Sequence, residues 1–472
     1  MRFSILSLVF IFPQVLLFGQ LPPDFSDQLV TDDFDYPMGL ITDENGQMYV
    51  WEKQGRIFVM DTNGIRNSLP LLDLREEIAN WGDHGLNSVA LHPEFLDNGH
   101  LYLLYVVERN YWLNFGKPNY HPDTTYEKQA TFARVVRYTA DASNDFLTLI
   151  PNSRKVLMGN NPSDGLPILN QFHGTGTILA STDGTLLISL GDGTRNFTND
   201  GLGGDVDSYT FQAIDDGIIT ADQAVDQYKV QYINSLNGKI IRIDAETGDG
   251  LSSNPYFDTE NPRSPRSRVW ATGLRNPYRM TKRPGTGSHN PTDGDPGHFY
   301  FGDVGWGTWE DLNVIDAAGQ NFGWPKWEGI TFQPGYNNPT YEPATHERPK
   351  IDFRHGSNPS ARGVIANGSV VNVGSAQLPG NEFNGNASTG GVFYNHPDFP
   401  ATWQGSYFHA DYSQGWIRNF TFDANNNPTE VREFMNNTGP VVYLDVSTNS
   451  GGLYYVKYPD EIRRIDYLGS GN

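Results

Sequence analysis

The sequence predicts an all-β fold, a six-bladed β-propeller with long inserted loops. Glycine and proline are abundant, with 50 and 30 of the 472 residues, and aromatic residues make up 13% of the chain. This composition is typical of many short strands joined by tight turns rather than of long helices. The apolar content of 38% is enough for a packed core, which argues against a disordered chain.

Similar units recur along the chain, each with an apolar strand, a turn of the Asp-Gly or Asn-Gly type, and a second strand. Such turns between β-rich runs are strong hairpin signals. The strands fall into six such units, and this number predicts six blades around one axis. The predicted strands lie at residues 39–43, 48–51 and 55–60; 86–91 and 101–107; 177–180, 186–190 and 239–243; 269–273 and 299–301; 391–394, 406–409 and 416–420; and 441–446, 452–456 and 462–467.

Six units leave roughly 75 residues for each, which is more than a minimal four-stranded blade needs, so long loops are expected. The clearest insertion spans residues 196–232. It contains a Gly/Asp-rich segment at 199–207, and a short helix is predicted within 212–230. A second long loop is predicted at 327–366, where Pro, Asn and Tyr are dense. Two sandwiches in tandem would give similar spacing, but no Pro/Ser-rich linker separates the halves.

The N-terminus predicts export. A basic residue at position 2 is followed by an apolar stretch at 3–18, and then by a small residue and two prolines within 19–23. This order is typical of a cleaved secretory signal peptide, and the apolar stretch is short for a membrane span. We therefore expect a signal peptide at residues 1–20 and a single mature domain at 21–472. The mature protein should be periplasmic or secreted, with no membrane span.

The charge balance limits the possible partners. The formal net charge is −22. A field of that sign repels nucleic acid and anionic lipid, so neither is expected as a partner. Acidic loops can instead supply the oxygen ligands that hard cations prefer. The chain contains no cysteine, which excludes disulfides and thiolate metal sites.

His173 is the leading candidate for chemistry. It lies in the loop Asn170-Gln171-Phe172-His173-Gly174-Thr175-Gly176, just before a predicted strand. An imidazole followed by glycines can face a pocket with little steric cover, and a neutral imidazole can take a proton near neutral pH. A lone histidine more often only hydrogen-bonds a loop, so other segments must support a catalytic role.

Several further segments combine glycines with polar residues. They include Gly82-Asp83-His84-Gly85, Gly273-Leu274-Arg275-Asn276-Pro277, Gly302-Asp303-Val304-Gly305 with Glu310-Asp311-Leu312-Asn313, and Asn321-Phe322-Gly323-Trp324-Pro325. Together with the histidine loop, and in this order, they resemble the glucose/sorbosone dehydrogenases, soluble sugar oxidases that use pyrroloquinoline quinone. The resemblance runs from about residue 30 to residue 467. It implies a six-bladed propeller with the quinone on its top face.

The resemblance also implies an activity and roles for particular residues. The expected reaction is the oxidation of an aldose sugar at C1 to a lactone, with an external electron acceptor. His173 matches the catalytic base of the family, and Asp83 matches a position that helps to hold the sugar. Arg275 and Asn276 match the pair that binds the quinone. A turn-forming role for Asp83 and a salt bridge for Arg275 remain open alternatives.

Two Ca²⁺ sites are implied by the same resemblance. The backbone carbonyls of Gly305 and Trp306 match the ligands of the ion that touches the quinone. Glu310 and Asp311, with the carbonyl of Phe322, match a second, structural ion beside the cofactor site. From the residues alone, two adjacent carboxylates either attract a hard cation such as Ca²⁺ or lie in solvent, and this alternative stays open. From the sequence we assign Asp192 to a turn and Trp324 to a core or rim position.

The chain departs from the family pattern in its basic residues. Phe172 stands where the best-studied branch has an acidic residue before the catalytic histidine. The segments 395–397 and 411–415 lack the Lys or Arg that neutralises the quinone carboxylates in the family. Replacement cations are not assigned from the sequence; Arg354, Arg362 and Lys326 in the second long loop are the residues considered.

Two other functions stay open at this point. The same scaffold serves as a non-catalytic carbohydrate- or protein-binding propeller of the hedgehog-interacting-protein type, and the missing basic residues fit that alternative. A hydrolase or lactonase is the second, because propellers with a central Ca²⁺ can carry such chemistry.

Overall fold

The strands of the protein form a ring of blades. The computed structural model describes residues 21–194, 209–336, 338–343 and 345–469. Over these ranges the chain forms a six-bladed β-propeller, which confirms the predicted fold class. The predicted signal peptide at 1–20 and the Gly/Asp-rich segment at 199–207 lie outside the described residues.

Blades 1 to 3 follow one another along the chain. Blade 1 consists of Pro37–Thr42, Met48–Glu52, Arg56–Met60 and Leu72–Asp73. Blade 2 consists of Leu86–Leu91, His100–Val106, Thr131–Thr139 and Leu166–Ile168, with Lys155–Met158 paired to its third strand. Blade 3 consists of Thr175–Ala180, Thr185–Leu190, Lys239–Asp244 and Val269–Thr272.

Blade 4 is larger than the others. It consists of Pro277–Lys282, Phe299–Asp303, Trp309–Ile315, Ile351–Arg354, Ala361–Val364 and Val370–Asn372. Blade 5 consists of Ser388–Tyr394, Ser406–Asp411, Trp416–Phe422 and Pro428–Asn436. Blade 6 consists of Val441–Val446, Leu453–Lys457, Glu461–Tyr467 and the N-terminal strand Phe25–Thr31.

Blade 6 closes the ring by joining the two ends of the chain. Phe25–Thr31 runs antiparallel to Glu461–Tyr467, with Phe25 opposite Tyr467. Asp27 on this strand accepts hydrogen bonds from the hydroxyl of Tyr455 and the guanidinium of Arg463. In a chain without cysteine, these strand and side-chain contacts hold the circle shut.

The first strand named in each blade is its inner strand, and each inner strand contacts the inner strands of both neighbouring blades. Apolar side chains fill the space between blades. Trp51 of blade 1 and Leu86 and Tyr105 of blade 2, for example, belong to one buried cluster. Burial of such side chains provides the main driving force for closing the ring.

Arg279 joins the blades at the axis. It lies on the inner strand of blade 4 and is buried. Its guanidinium donates to the backbone carbonyls of Val442 at 2.9 Å, Asn87 at 2.8 Å and Met38 at 2.9 Å. It also donates to the carbonyl of Gly176 at 3.2 Å and to the hydroxyl of Tyr278 at 3.0 Å. All five guanidinium N–H groups are therefore used, and four of them bind carbonyls of blades 6, 2, 1 and 3.

Blade 5 approaches the same residue through its backbone. A Cβ atom on Gly390 would lie 2.2 Å from the carbonyl oxygen of Arg279, and Gly390 has a φ of +111°. A side chain at this position would push the inner strands of blades 4 and 5 apart. In the described part of the chain, Arg279 thus contacts the inner strands of all the other blades.

Two parts of the strand prediction were wrong. Segments 269–273 and 299–301, predicted as one unit, belong to different blades, since Val269–Thr272 ends blade 3 and Phe299–Asp303 is the second strand of blade 4. The inner strand Pro277–Lys282 lies between them in sequence and was missed. Its buried arginine breaks the apolar pattern that marks the other inner strands.

The second predicted loop, 327–366, also contains strands. Ile351–Arg354 and Ala361–Val364 extend blade 4 at its outer side, and Trp327–Glu328 pairs with Thr331–Phe332 in a small hairpin. The two blade strands are only four residues long, and the Pro, Gly and Asn residues around them hide their short apolar pattern.

Helices are few and short within the described residues. The α-helices are Phe95–Asn98, Arg109–Asn114, Thr210–Asp215 and Pro265–Arg268. The short 3₁₀ helices are Ala142–Asn144, Pro162–Asp164, Ala221–Gln223, Asp226–Val230, Pro291–Asp293 and Pro339–Tyr341. The helix predicted in the first insertion corresponds to Thr210–Asp215, two residues earlier than expected. In the part of the chain described, helices are too short to cross a membrane.

We predict that Arg279→Met lowers the free energy of unfolding by about 3 to 5 kcal/mol, because buried carbonyls of several blades lose their donor. Urea denaturation followed by tryptophan fluorescence measures the change. Arg75→Met, at a half-exposed position with one carboxylate partner, is the matched control. Equal stability of the two variants would contradict the central role of Arg279.

Candidate functional site

A cavity of about 470 Å³ opens where the inner strands meet, and each blade of the described structure contributes to its wall. The loops that lead into the inner strands converge at this end of the axis. The lining residues are Met38 and Lys53; Gly82 and Asp83; His173, Gly174 and Thr175; Asn276, Tyr278 and Val304; Ala387, Ser388, Thr389 and Tyr412; and Val442 and Tyr458. Of the residues proposed from the sequence, His173, Asp83 and Asn276 lie together in this wall.

His173 is held by a buried carboxylate. Its Nδ1 lies 2.9 Å from Oδ1 of Asp192, and the side chains of the two residues are 11% and 0% exposed. An ionised carboxylate only accepts hydrogen bonds, so Nδ1 carries the proton and Nε2 of the neutral ring keeps its lone pair. The pair therefore presents a hydrogen-bond acceptor at the wall of the cavity.

The fold supports the ionised state of Asp192. Oδ2 of Asp192 accepts from the indole N–H of Trp324 at 3.0 Å, and Oδ1 also accepts from the backbone N–H of Thr194. Burial alone would raise the pKa of Asp192. The attraction to the imidazolium form of His173 and the hydrogen bond from its ring, with a smaller effect of Arg275, outweigh it and hold the pKa of Asp192 below the ordinary value.

Close backbone packing places the imidazole. His173 has a φ of +52°, and its carbonyl accepts from the N–H of Gly193 at 3.0 Å. A Cβ on Gly191 would lie 2.4 Å from the same carbonyl oxygen. Only glycine at 191 allows the two loops to approach this closely, so Gly191 fixes the distance between His173 and Asp192.

Sequence reasoning missed the role of Asp192 and Trp324. The assignment of Asp192 to a turn describes its backbone, but its side chain is the partner of the proposed base. Its place in the sequence could have indicated this role. Asp192 comes directly after the hairpin of the first two strands of blade 3, where a carboxylate is buried and needs a hydrogen-bond partner. Trp324 is buried, as expected, but its indole N–H has a defined acceptor.

Asp83 and Lys53 form the wall next to His173. Oδ2 of Asp83 accepts from the backbone N–H of His173 at 3.2 Å, so Asp83 holds the histidine loop from the cavity side. Nζ of Lys53 donates to the carbonyl of Gly82 at 2.7 Å. The sequence did not single out Lys53, because a lone lysine in a hairpin turn gives no pattern.

Arg275 and Asn276 point to different places. The backbone N–H groups of both donate to the buried carboxylate of Asp303, at 3.1 and 2.6 Å. Asn276 lines the central cavity. The guanidinium of Arg275 donates to the carbonyl of Val304 at 2.8 Å and lines a second, smaller cavity behind Val304.

The smaller cavity measures about 10 Å³, enough for one water-sized occupant. Gly305, Asp311 and Phe322 line it, together with Asp303 and Glu328. Oδ1 of Asp311 is buried there without a hydrogen-bond partner. Burial raises the pKa of Asp311 well above its ordinary value, and neighbouring carboxylates add to the effect. A cation at this position would relieve both costs.

Glu310 lies away from this cavity. Neighbouring residues of a strand point to opposite faces, and Glu310 belongs with Asp311 to the strand Trp309–Ile315. Its carboxylate contacts Nε2 of His355 and accepts from the backbone N–H of Ser388. No three His, Cys, Asp or Glu side chains in the described ranges are grouped closely enough to hold a metal without backbone ligands.

Glu328 shapes the loop that carries Gly305 and Trp306. Its Oε1 accepts from four successive backbone N–H groups, those of residues 306–309, at 2.8 to 3.2 Å. One buried carboxylate oxygen therefore fixes this turn. The side chain of Trp306 is 41% exposed and lines neither cavity.

The three basic residues considered as replacements for the missing Lys or Arg are either paired with a carboxylate or exposed. Arg362 binds the carboxylate of Asp352, and Lys326 pairs with Glu342. Arg354 is exposed, and none of the three lines the central cavity as far as the structure describes it. The wall of the central cavity is instead partly aromatic, with Tyr278, Tyr412 and Tyr458, which suits a flat ligand.

The sequence model of one protein family, described as Glucose / Sorbosone dehydrogenase, matches residues 34–372. The HIPL1 protein of Arabidopsis thaliana is 25% identical over 57% of this chain and 37% of that protein. The human Hedgehog-interacting protein is 26% identical over 57% of this chain and 32% of that protein. The chain thus spans about a third of the length of these two relatives.

Bacterial relatives and solved structures are similar over a larger share. The aldose sugar dehydrogenase YliI of Escherichia coli is 23% identical over 67% of both chains. A solved glucose dehydrogenase aligns with a TM-score of 0.63 and 17% identity over 95% of this chain and 100% of that one. The PQQ-bound aldose sugar dehydrogenase of Streptomyces coelicolor aligns with a TM-score of 0.56 and 16% identity over 95% and 99%.

We predict that Ca²⁺ raises the melting temperature of the protein and that Asp311→Asn removes most of this rise. A bound ion at 100 times its dissociation constant stabilises the folded state by about 2.7 kcal/mol. Differential scanning fluorimetry with and without chelator measures the shift. Asp32→Asn, on an exposed residue, is the control. An undiminished Ca²⁺ shift in Asp311→Asn would exclude this carboxylate as a ligand.

Proposed function

Because the chain belongs to the glucose/sorbosone dehydrogenase family, we propose that it oxidises aldose sugars at C1 to lactones with pyrroloquinoline quinone and Ca²⁺. An external acceptor then takes the electrons. The observation that carries the proposal is the imidazole of His173, held by the buried Asp192 in the wall of the central cavity. Such a pair is suited to taking a proton from a sugar hydroxyl.

The proton moves to a defined atom. Nε2 of His173 accepts the proton of the C1 hydroxyl, and Asp192 stabilises the imidazolium that results. Asp83 holds the histidine loop through its backbone N–H and can accept a hydrogen bond from a sugar hydroxyl with its remaining lone pairs. When bound, pyrroloquinoline quinone supplies the acceptor for the hydride equivalent that leaves C1.

The size of the cavity and the aromatic part of its wall support the binding of such a cofactor. Its volume lies in the range of about 300 to 1,000 Å³ that is usual for small-molecule sites. Tyr278 and Tyr412 offer aromatic surface to a planar ring, and Asn276 offers an amide. By family resemblance, Arg275 would act with Asn276 on the cofactor, and the carbonyls of Gly305 and Trp306 would bind its Ca²⁺. In this structure Asn276 lines the central cavity, whereas Arg275 and Gly305 line the smaller one and Trp306 lines neither, so their roles require that these residues turn toward the cofactor.

A further Ca²⁺ is proposed for the small cavity. The unpartnered Oδ1 of Asp311 supports it, and Phe322 lines the same space. Glu310, the other carboxylate suggested by the resemblance, is engaged by His355 and Ser388. Its contribution would require that these contacts rearrange. We also propose that the protein acts outside the cytoplasm, as the N-terminal sequence predicts.

A second candidate function is a non-catalytic binding propeller. HIPL1 and Hedgehog-interacting proteins are among the similar proteins, and Lys53 is the one Lys or Arg among the described residues that line the central cavity. A binding propeller needs no cation to hold the quinone carboxylates. Spectral titration with pyrroloquinoline quinone and Ca²⁺ separates the two functions, because uptake at micromolar concentration supports the dehydrogenase and its absence supports the binding propeller.

We predict that His173→Asn abolishes dye-linked oxidation of aldoses by the reconstituted enzyme, with a loss of about 10²- to 10⁴-fold in kcat. Asparagine tolerates the positive φ of this position, so the fold should persist. Steady-state kinetics on a sugar panel measures the loss, and circular dichroism checks the fold. Unchanged turnover would remove His173 from the mechanism.

We predict that Asp192→Asn lowers kcat by about 10²- to 10⁴-fold and changes KM much less. The amide N–H of asparagine would donate to Nδ1, which favours the tautomer with the proton on Nε2 and removes the acceptor. Asp32→Asn serves again as the control for loss of one carboxylate. If the two variants have the same kcat, Asp192 only supports the fold.

A further inference from the structure

The central cavity is poor in positive charge. The chain has a formal net charge of −22. Among the described residues of the cavity wall, Lys53 is the one lysine or arginine. The wall also contains the carboxylate of Asp83, so an anionic ligand has a single fixed cation to meet.

The backbone of Lys53 is firmly placed. The residue follows the strand Met48–Glu52 of blade 1, its N–H donates to the carbonyl of Tyr36 at 2.9 Å, and its carbonyl accepts from the N–H of Leu86 at 2.8 Å. A Cβ on Gly85 would lie 2.5 Å from the carbonyl oxygen of Lys53. The turn is thus packed against blade 2, and both blades fix the backbone from which the side chain extends.

The ammonium group of Lys53 has hydrogen-bonding capacity left. It donates to the carbonyl of Gly82, and an ammonium has three N–H donors. Within the described residues it forms no ion pair, although the charge of Asp83 acts on it from a distance. Burial lowers the pKa of Lys53, and Asp83 partly offsets this effect. A carboxylate ligand would replace the water that this half-buried charge has lost.

The other buried arginines near the axis do not line the central cavity. Arg279 uses all five N–H groups on backbone carbonyls and on Tyr278. Arg275 faces the smaller cavity and donates to the carbonyl of Val304. These two residues can add positive potential below the cavity, but they do not offer a free donor at its wall.

We propose that Lys53 is the carboxylate-binding residue of the central cavity. This inference rests on the proposed function, and it assigns to blade 1 the task for which segments 395–397 and 411–415 lack a basic residue. The carboxylate has two possible sources. It belongs either to the quinone cofactor or to an acidic aldose, such as a hexuronate.

The test compares Lys53→Met and Lys53→Arg with the wild-type protein. Lys117→Met removes the same charge from an exposed position and is the matched control. Spectral titration with pyrroloquinoline quinone and Ca²⁺ gives the affinity for the cofactor. Calorimetric titration with D-glucuronate and D-glucose gives the affinity for an acidic and a neutral sugar. Lys53→Gln, which keeps an N–H donor without the charge, replaces Lys53→Met if that variant does not fold.

We expect Lys53→Met to weaken quinone binding by about 10- to 100-fold, the loss usual for one charge-assisted hydrogen bond, while Lys53→Arg and Lys117→Met bind as the wild type does. Unchanged quinone affinity with a lost preference for glucuronate over glucose also supports the proposal and identifies the sugar as the source. Wild-type affinity of Lys53→Met for both ligands overturns it. If the wild-type protein itself takes up no quinone, the proposed dehydrogenase function fails, and the glucuronate titration alone decides the role of Lys53. Weaker binding of D-glucuronate by Lys53→Met than by the wild type then supports the proposal, and equal or absent binding overturns it.

Discussion

The convergence of the inner strands on one buried guanidinium is the constraint on which this structure depends. Arg279 binds backbone carbonyls of blades 1, 2, 3 and 6, and its own backbone packs against Gly390 of blade 5. Each of these carbonyls lies on an inner strand, close to a residue of the cavity wall. The arginine that joins the inner strands therefore also holds Met38 and Val442 of the cavity wall in place.

Close packing of backbone segments also positions the proposed catalytic base, His173. The loops of His173 and Asp192 approach within the space that only Gly191 permits, and Trp324 of a distant segment fixes the second carboxylate oxygen. The carboxylate thus stays ionised in a buried position because three neighbours donate to it. Burial and hydrogen bonding act together, since a solvated aspartate would orient the imidazole less well.

Several carboxylates near the two cavities hold backbone loops in place, and they account for part of the net negative charge of the chain. Asp303 accepts from the backbone of residues 275 and 276, and Glu328 accepts from four N–H groups of the 306–309 turn. These acids hold backbone loops in place, and both also line the small cavity. Asp311 differs from them because its Oδ1 has no donor, and this is the observation on which the proposed cation site rests.

The sequence alone determined the fold class, the hairpins of the blades other than blade 4 and most of the segments that meet in the cavity, because strand alternation and glycine-rich turns are local signals. Tertiary structure decided which side chains share a space. It separated Glu310 from Asp311 across one strand, turned Arg275 away from Asn276, paired His173 with Asp192 and brought Lys53 to Asp83. These relations depend on how residues far apart in the chain meet when the ring closes, and no local pattern encodes that distance.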